Sequence, residues 1–223
     1  SVAKRNRKFL NMLKIEKFVV NPLQENTYLI SDETGACVFI DPGFYFDVEH
    51  NEIKQHMEAN HLNPVMIANT HCHFDHIMGV EFLRAEYKIP FHAHPDDVFW
   101  VEKAIAQAEM FGFEMDKVKK PDAFFTEDEP LKFGNTELQI IHVPGHSPGH
   151  VVFYAESEKI LIAGDVLFNG SIGRTDLPGG HYQTLISGIK TKLFSLPDET
   201  TVYCGHGPET TLGFEKSSNP FLN

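Results

Sequence analysis

Apolar residues along this chain fall into short runs set off by turn-forming residues. The segments KIEKFVV (14–20), NTYLIS (26–31) and ACVFID (36–41) are rich in β-branched and aromatic residues and are separated by NPLQE and DETG, so three strands are predicted. The turn DPG (41–43) ends the third. Phe46, Val48, Ile53 and Met57 then recur at helical spacing over 46–61. PVMIANT (64–70) reads as a buried strand, and 77–87 and 96–112 read as helices. Further strands are predicted at 138–143, 151–157, 159–165 and 201–207, a Gly/Pro-rich loop at 169–180 and a helix at 182–196. His142 ends an apolar run, so a core position is expected for it. Strands and helices alternate in a similar order in both halves, which suggests two β-rich layers flanked by helices in one α/β domain.

Length and charge narrow this picture. A chain of 223 residues suits one large domain. No run of about 18 apolar residues is present, so no membrane-spanning helix is expected. The basic start SVAKRNRKFLN is not followed by an apolar core, so no secretory leader is expected either. Residues 1–11 read as an N-terminal extension and 12–223 as the domain. A formal net charge of −12 disfavours nucleic acid as a partner. Cys37, Cys72 and Cys204 show no CxxC spacing, which fits a reducing, cytoplasmic setting.

The chemistry sits where predicted strands end. THCHFDH follows the strand at 64–70, PGHSPGH follows 138–143, AGD closes 159–165 and CGH closes 201–204. Four strand ends thus each deliver His or Asp, and converging strand ends are a common address for active sites in layered α/β proteins. With 13 histidines, the pattern HxHxDH arises by accident in roughly 0.2% of chains of this composition. In extended backbone His71 and His73 point the same way and can grip one ion, while Asp75 and His76 project from the next bend towards a second. Imidazole and carboxylate suit zinc, and also iron or manganese. A pair of ions needs a bridging carboxylate, for which Asp165 is the candidate. Cys72 reads as a spacer inside the loop, and His150 as a supporting residue beside the site.

In order, THCHFDH, PGHSPGH, AGDVLF, GRTD and CGHG resemble the metallo-β-lactamase fold superfamily, and within it the glyoxalase II-like (hydroxyacylglutathione hydrolase-like) branch. The resemblance runs from Met12 onward and is nearest to short, single-domain bacterial members. It implies a four-layer αββα sandwich with a two-metal site at one edge. By the family pattern His71, His73 and His146 hold one ion, Asp75, His76 and His206 hold the other, and Asp165 bridges both. The implied reaction is hydrolysis of a thioester such as S-lactoylglutathione by a metal-bridging hydroxide, with Asp75 and Asp165 as catalytic carboxylates. Arg174 in GRTD either contacts an anionic substrate or braces its loop by pairing with Asp176.

Two departures from the family bear on the substrate. Full glyoxalase II enzymes carry a C-terminal helical domain that grips glutathione, whereas only 17 residues follow His206 here. The tyrosine that closely follows CGHE in those enzymes is missing from CGHGPETT. An alternative is a persulfide dioxygenase using one iron on His71, His146 and Asp165. A further one is a non-catalytic metal-binding domain, disfavoured by the complete ligand set.

Overall fold

The computed structural model describes residues 13–223, so the extension proposed at 1–11 lies outside the described residues. Its first sheet is formed by β1 (Lys14–Val20), β2 (Glu25–Ser31), β3 (Ala36–Ile40), β4 (Asn63–Ala68), β5 (Phe91–Ala93) and β6 (Ala123–Phe124), in that spatial order. The first three strands pair antiparallel; from β3 to β6 the pairing is parallel. Parallel neighbours need crossovers, and α1 (Asp47–Ala59), α2 (Val80–Tyr87) and α3 (Val98–Met110) lie within them.

The second sheet contains β7 (Leu131–Phe133), β8 (Thr136–His142), β9 (Val151–Ala155), β10 (Ile160–Gly164), β13 (Thr201–Cys204) and β14 (Thr210–Thr211), in spatial order β14-β13-β10-β9-β8-β7. A small ribbon, β11 (Leu167–Phe168) with β12 (Ser171–Ile172), follows β10. Helices α4 (Tyr182–Gly188), extended by a wider turn over Ile189–Leu193, and α5 (Leu212–Ser218) complete the chain.

Period-two alternation decides the layering. On β2 and β3, Tyr28, Ile30, Val38 and Ile40 point into the space between the sheets, where they meet Leu138, Ile140, Val151, Phe153 and Ile162. Their neighbours Leu29, Cys37 and Phe39 face outward against Ile53, Met57, Val80 and Leu83 of the first helical layer. On the other side Val152, Tyr154, Leu161 and Val202 pack against Leu185, Ile189, Leu193 and Leu212. Strands buried on both faces read as unbroken apolar runs. The layers are helix, sheet, sheet, helix, the αββα sandwich expected from the resemblance.

The differences from expectation have local causes. The helix expected over 77–87 starts three residues later, as α2, with a tight turn over Phe74–His76 ahead of it; the amide of Gly79 donates to the Pro42 carbonyl at 2.8 Å. The short strands β5, β6, β7, β11, β12 and β14 and helix α5 escape the hydrophobic pattern, most being two or three residues long. His142 is half-exposed rather than in the core: its ring stacks on His94 at 4.3 Å and its Nε2 donates to the Pro148 carbonyl at 2.8 Å. No helix among the described residues is long and apolar enough to cross a membrane.

Candidate metal centre

The loops after β4, β8, β10 and β13 bring together all seven side chains singled out as ligands. The first loop is shaped by Asn69, whose side-chain amide donates to the carbonyls of His71 at 3.1 Å and His76 at 2.8 Å. In the first group Nε2 of His146 lies 2.9 Å from Nδ1 of His73 and 3.2 Å from Nε2 of His71. Nδ1 of His146 donates to the carbonyl of Arg174 at 2.8 Å, which leaves Nε2 with its lone pair facing the cluster. His71 is set the same way. The Thr70 hydroxyl donates to Asp41 Oδ2 at 2.6 Å and so accepts from Nδ1 of His71 at 3.1 Å.

The second group repeats this design. Nδ1 of His76 donates to Asp41 Oδ2 at 3.1 Å, and Nδ1 of His206 donates to the Leu23 carbonyl at 3.2 Å. Both Nε2 atoms therefore turn inward, towards Asp75, whose Oδ2 lies 3.2 Å from His206 and 3.7 Å from His76. Asp165 stands between the groups. Its Oδ1 is 3.4 Å from His76, and its Oδ2 is 3.6 Å from His146 and 3.8 Å from His206. The backbone amide of Asp165 donates to Nε2 of His150 at 3.1 Å, and that ring stacks on His71 at 4.6 Å.

These residues fit a pair of cations. The donor atoms of His71, His73 and His146 lie within 4.8 Å of one another, as do those of Asp75, His76 and His206. Nε2 of His76 and Oδ1 of Asp165 are buried and face each other without a hydrogen-bond partner, a cost that a cation between them removes. Acceptors fixing the far nitrogen, as at His71, His76, His146 and His206, are the usual support of a metal-binding histidine.

The electrostatics divide the two groups. Burial, reinforced by neighbouring imidazoles, pushes His71 and His73 well below the ordinary histidine pKa, and burial also lowers His146. At His76 burial acts the same way, but Asp165 and Asp75 outweigh it and raise the pKa well above the ordinary value. His206 is raised for the same reason. Burial alone would raise Asp165; His76 and His206 reverse that and hold its carboxyl well below the usual carboxylate range.

Other residues fall less simply. The guanidinium of Arg174 is taken by Asp176 through two 2.7 Å bonds on the exposed loop, while its carbonyl serves His146. The thiol of Cys72 is buried and pushed well above its ordinary pKa by desolvation, as suits a packed spacer. Motif reading missed Asp41, which the sequence marks only as part of a strand-breaking DPG. It sits at a left-handed φ of 49° and accepts from the backbone and hydroxyl of Thr70, both at 2.6 Å. It also missed Asp97, which accepts from the amides of Cys72 at 2.7 Å and Gly149 at 2.6 Å and from the Ser147 hydroxyl. Asp97 thereby ties the two histidine loops together. Trp100, edge-on to His73 at 4.6 Å, carried no signal beyond being the single tryptophan.

A family model described as the metallo-beta-lactamase superfamily matches residues 20–206. The curated hydroxyacylglutathione hydrolase GloC of Haemophilus influenzae is 39% identical over 213 residues, covering 95% of this chain and 99% of its own. A solved structure described as BLEG-1 B3 metallo-beta-lactamase superposes with a TM-score of 0.86 at 36% identity, over 94% of this chain and 100% of that one. TTHA1623 in a di-iron-bound form superposes with a TM-score of 0.83 at 40% identity, over 93% of this chain and 100% of that one. The chain belongs to the metallo-beta-lactamase superfamily.

Proposed function

We propose that this member of the metallo-beta-lactamase superfamily is a two-metal hydrolase of thioesters, with S-lactoylglutathione as the model substrate. The observation that carries the proposal is the position of Asp165, one carboxylate facing both histidine groups. The likeness to GloC supports the thioester. His71, His73 and His146 would hold one ion, Asp75, His76 and His206 the second, and Asp165 both. Zinc is the first candidate from the donor set; the di-iron title of a 40% identical structure makes iron its rival. Such ions supply Lewis acidity, which polarises a carbonyl and acidifies a water.

The chain's own residues do the rest. Asp165, held ionised, balances the positive charge of the site. Asp75 has one oxygen turned to His206 and His76, and its other oxygen is free to orient the attacking water and accept its proton. Water adds to the thioester carbonyl, the C–S bond breaks, and a carboxylate and a thiol leave. A thiol of pKa about 8.5 departs as thiolate with little need of a general acid, which suits a site where His71, His73, His76, His146 and His206 would all be taken up as ligands. The motifs PGHSPGH and CGHG look more like the hydrolase branch than a single-iron dioxygenase on His71, His146 and Asp165, and support this reading.

Metal analysis of the purified protein, with three assays, tests the proposal. Two metals per chain and thiol release from S-lactoylglutathione are expected. One iron per chain with oxygen uptake on glutathione persulfide would overturn it, as would turnover of a chromogenic cephalosporin with none of the thioester.

A further inference from the structure

Helix α3 carries an apolar stripe on its solvent side. Phe99, Ala106 and Met110 lie along one face at helical spacing with the stem of Lys103 between them, and Phe99 and Met110 are 44% and 79% exposed. A surface helix ordinarily places polar residues there. Across from the stripe stand Leu177 and Pro178 of the loop that follows β12, and together they form a groove of about 190 Å³. Its surface is wholly apolar: Lys103 and Gln107 contribute only carbon.

Three links connect the groove's lining to the candidate metal centre. Trp100, which lines it, is edge-on to His73 at 4.6 Å. Phe111, which also lines it, packs at 5.3 Å on Phe74, the residue between His73 and Asp75. The loop bearing Leu177 supplies, at Arg174, the carbonyl that orients His146. All three contacts lie on or beside the first histidine group. Trp100 also has a buried indole N–H with no partner, an unusual cost beside a reaction site.

We infer that this groove receives the acyl chain of the substrate, an aliphatic group running away from the scissile carbonyl, and so sets the enzyme's acyl specificity. The inference rests on the hydrolase reading above and adds the substrate class to it. At about 190 Å³ the groove is smaller than the roughly 300–1,000 Å³ of sites that enclose drug-sized ligands, which suits an acyl chain rather than a tripeptide, so the thiol part of the substrate lies elsewhere.

Because Trp100 is the single tryptophan, its emission reads groove occupancy independently of turnover. The test uses the metal-loaded protein with acetyl, butanoyl and hexanoyl thioesters of glutathione, and the non-hydrolysable thioethers S-methyl- and S-hexylglutathione. The hexanoyl ester should exceed the acetyl ester in kcat/KM by roughly tenfold, from partial burial of the added methylenes. S-hexylglutathione should shift the Trp100 emission at concentrations where S-methylglutathione does not. Ala106→Glu, a charge at an exposed helix position, should bring the hexanoyl-to-acetyl ratio towards one, and Phe99→Ala should lower it. A flat chain-length series with silent Trp100 emission, in an enzyme that does hydrolyse thioesters, overturns the groove and leaves the hydrolase standing. If no thioester is hydrolysed the hydrolase reading falls, and the thioether titration alone then decides whether the groove binds aliphatic chains. Should Ala106→Glu leave the ratio intact and instead dissociate a dimer, the groove's occupant is a second copy and the inference is wrong.

Discussion

Asp41 Oδ2 lies 3.1 Å from Nδ1 of His76 and also accepts the hydroxyl proton of Thr70, which in turn accepts from His71. One carboxylate at the end of β3 therefore orients an imidazole in each of the two groups. Asp41→Asn keeps the size but presents an amide that can donate where acceptors are needed. Metal affinity is expected to fall roughly 10–100-fold, as for other supporting residues of histidine ligands. Competition with a chromogenic chelator measures it; unchanged affinity at both positions would show that Asp41 only braces the turn.

Asp165→Ala removes the carboxylate between the groups. Loss of activity is expected, with metal content falling below two per chain by elemental analysis. Full activity in this variant would rule out a bridging role.

Acidification should empty the two positions in order. His76 and His206 are raised by Asp75 and Asp165, so protons compete for them first, whereas His71, His73 and His146 stay neutral to lower pH. As pH falls, the ion at Asp75, His76 and His206 is expected to leave before the other. Metal content after dialysis along a pH series should show a one-metal plateau; simultaneous loss contradicts the assignment.

Asp97 makes a separate pH prediction. Burial raises its carboxyl to about 6 from an ordinary 3.8, although the Ser147, Cys72 and Gly149 donors pull the other way. The folded-state pKa lies above the unfolded one, so folding takes up a proton between these values and the resulting stability is lost as pH rises through about 6. Asp97→Asn cannot respond. Its cost relative to wild type should therefore be about 1 kcal/mol greater at pH 5 than at pH 7, by denaturant unfolding of the metal-free proteins. Asp97→Ala, which strands three buried donors, should cost about 3–5 kcal/mol.

Gly205 leaves the space that Asp165 occupies. A Cβ there would collide with Asp165 Oδ1 and press on the ring of His76. Gly205→Ala is expected to lower both metal content and activity while the far-UV circular dichroism stays native. Wild-type metal content in this variant would mean the loop after β13 yields freely.

Read without coordinates, the chain already declares its layers and its chemistry. Strand periodicity marks residues such as Leu29 and Tyr28 for opposite faces, and the histidines and aspartates at strand ends are adjacent enough in sequence to form recognisable patterns. These are local signals, carried by spacings of two to four residues. Asp41, Asp97 and Trp100 offer no such signal. Asp41 meets Thr70 and His76 across 29 and 35 residues, and Asp97 meets Ser147 across 50. A lone carboxylate in a turn or at a helix start looks like any other until the sandwich closes. The exposed apolar face of α3 is likewise unremarkable in sequence, because an apolar residue carries no mark of whether water or a partner covers it. Which imidazole nitrogen turns inward, how burial lowers the proton affinity of one histidine group while carboxylates raise that of the other, and where a groove opens beside them all depend on distances between segments that only folding brings together.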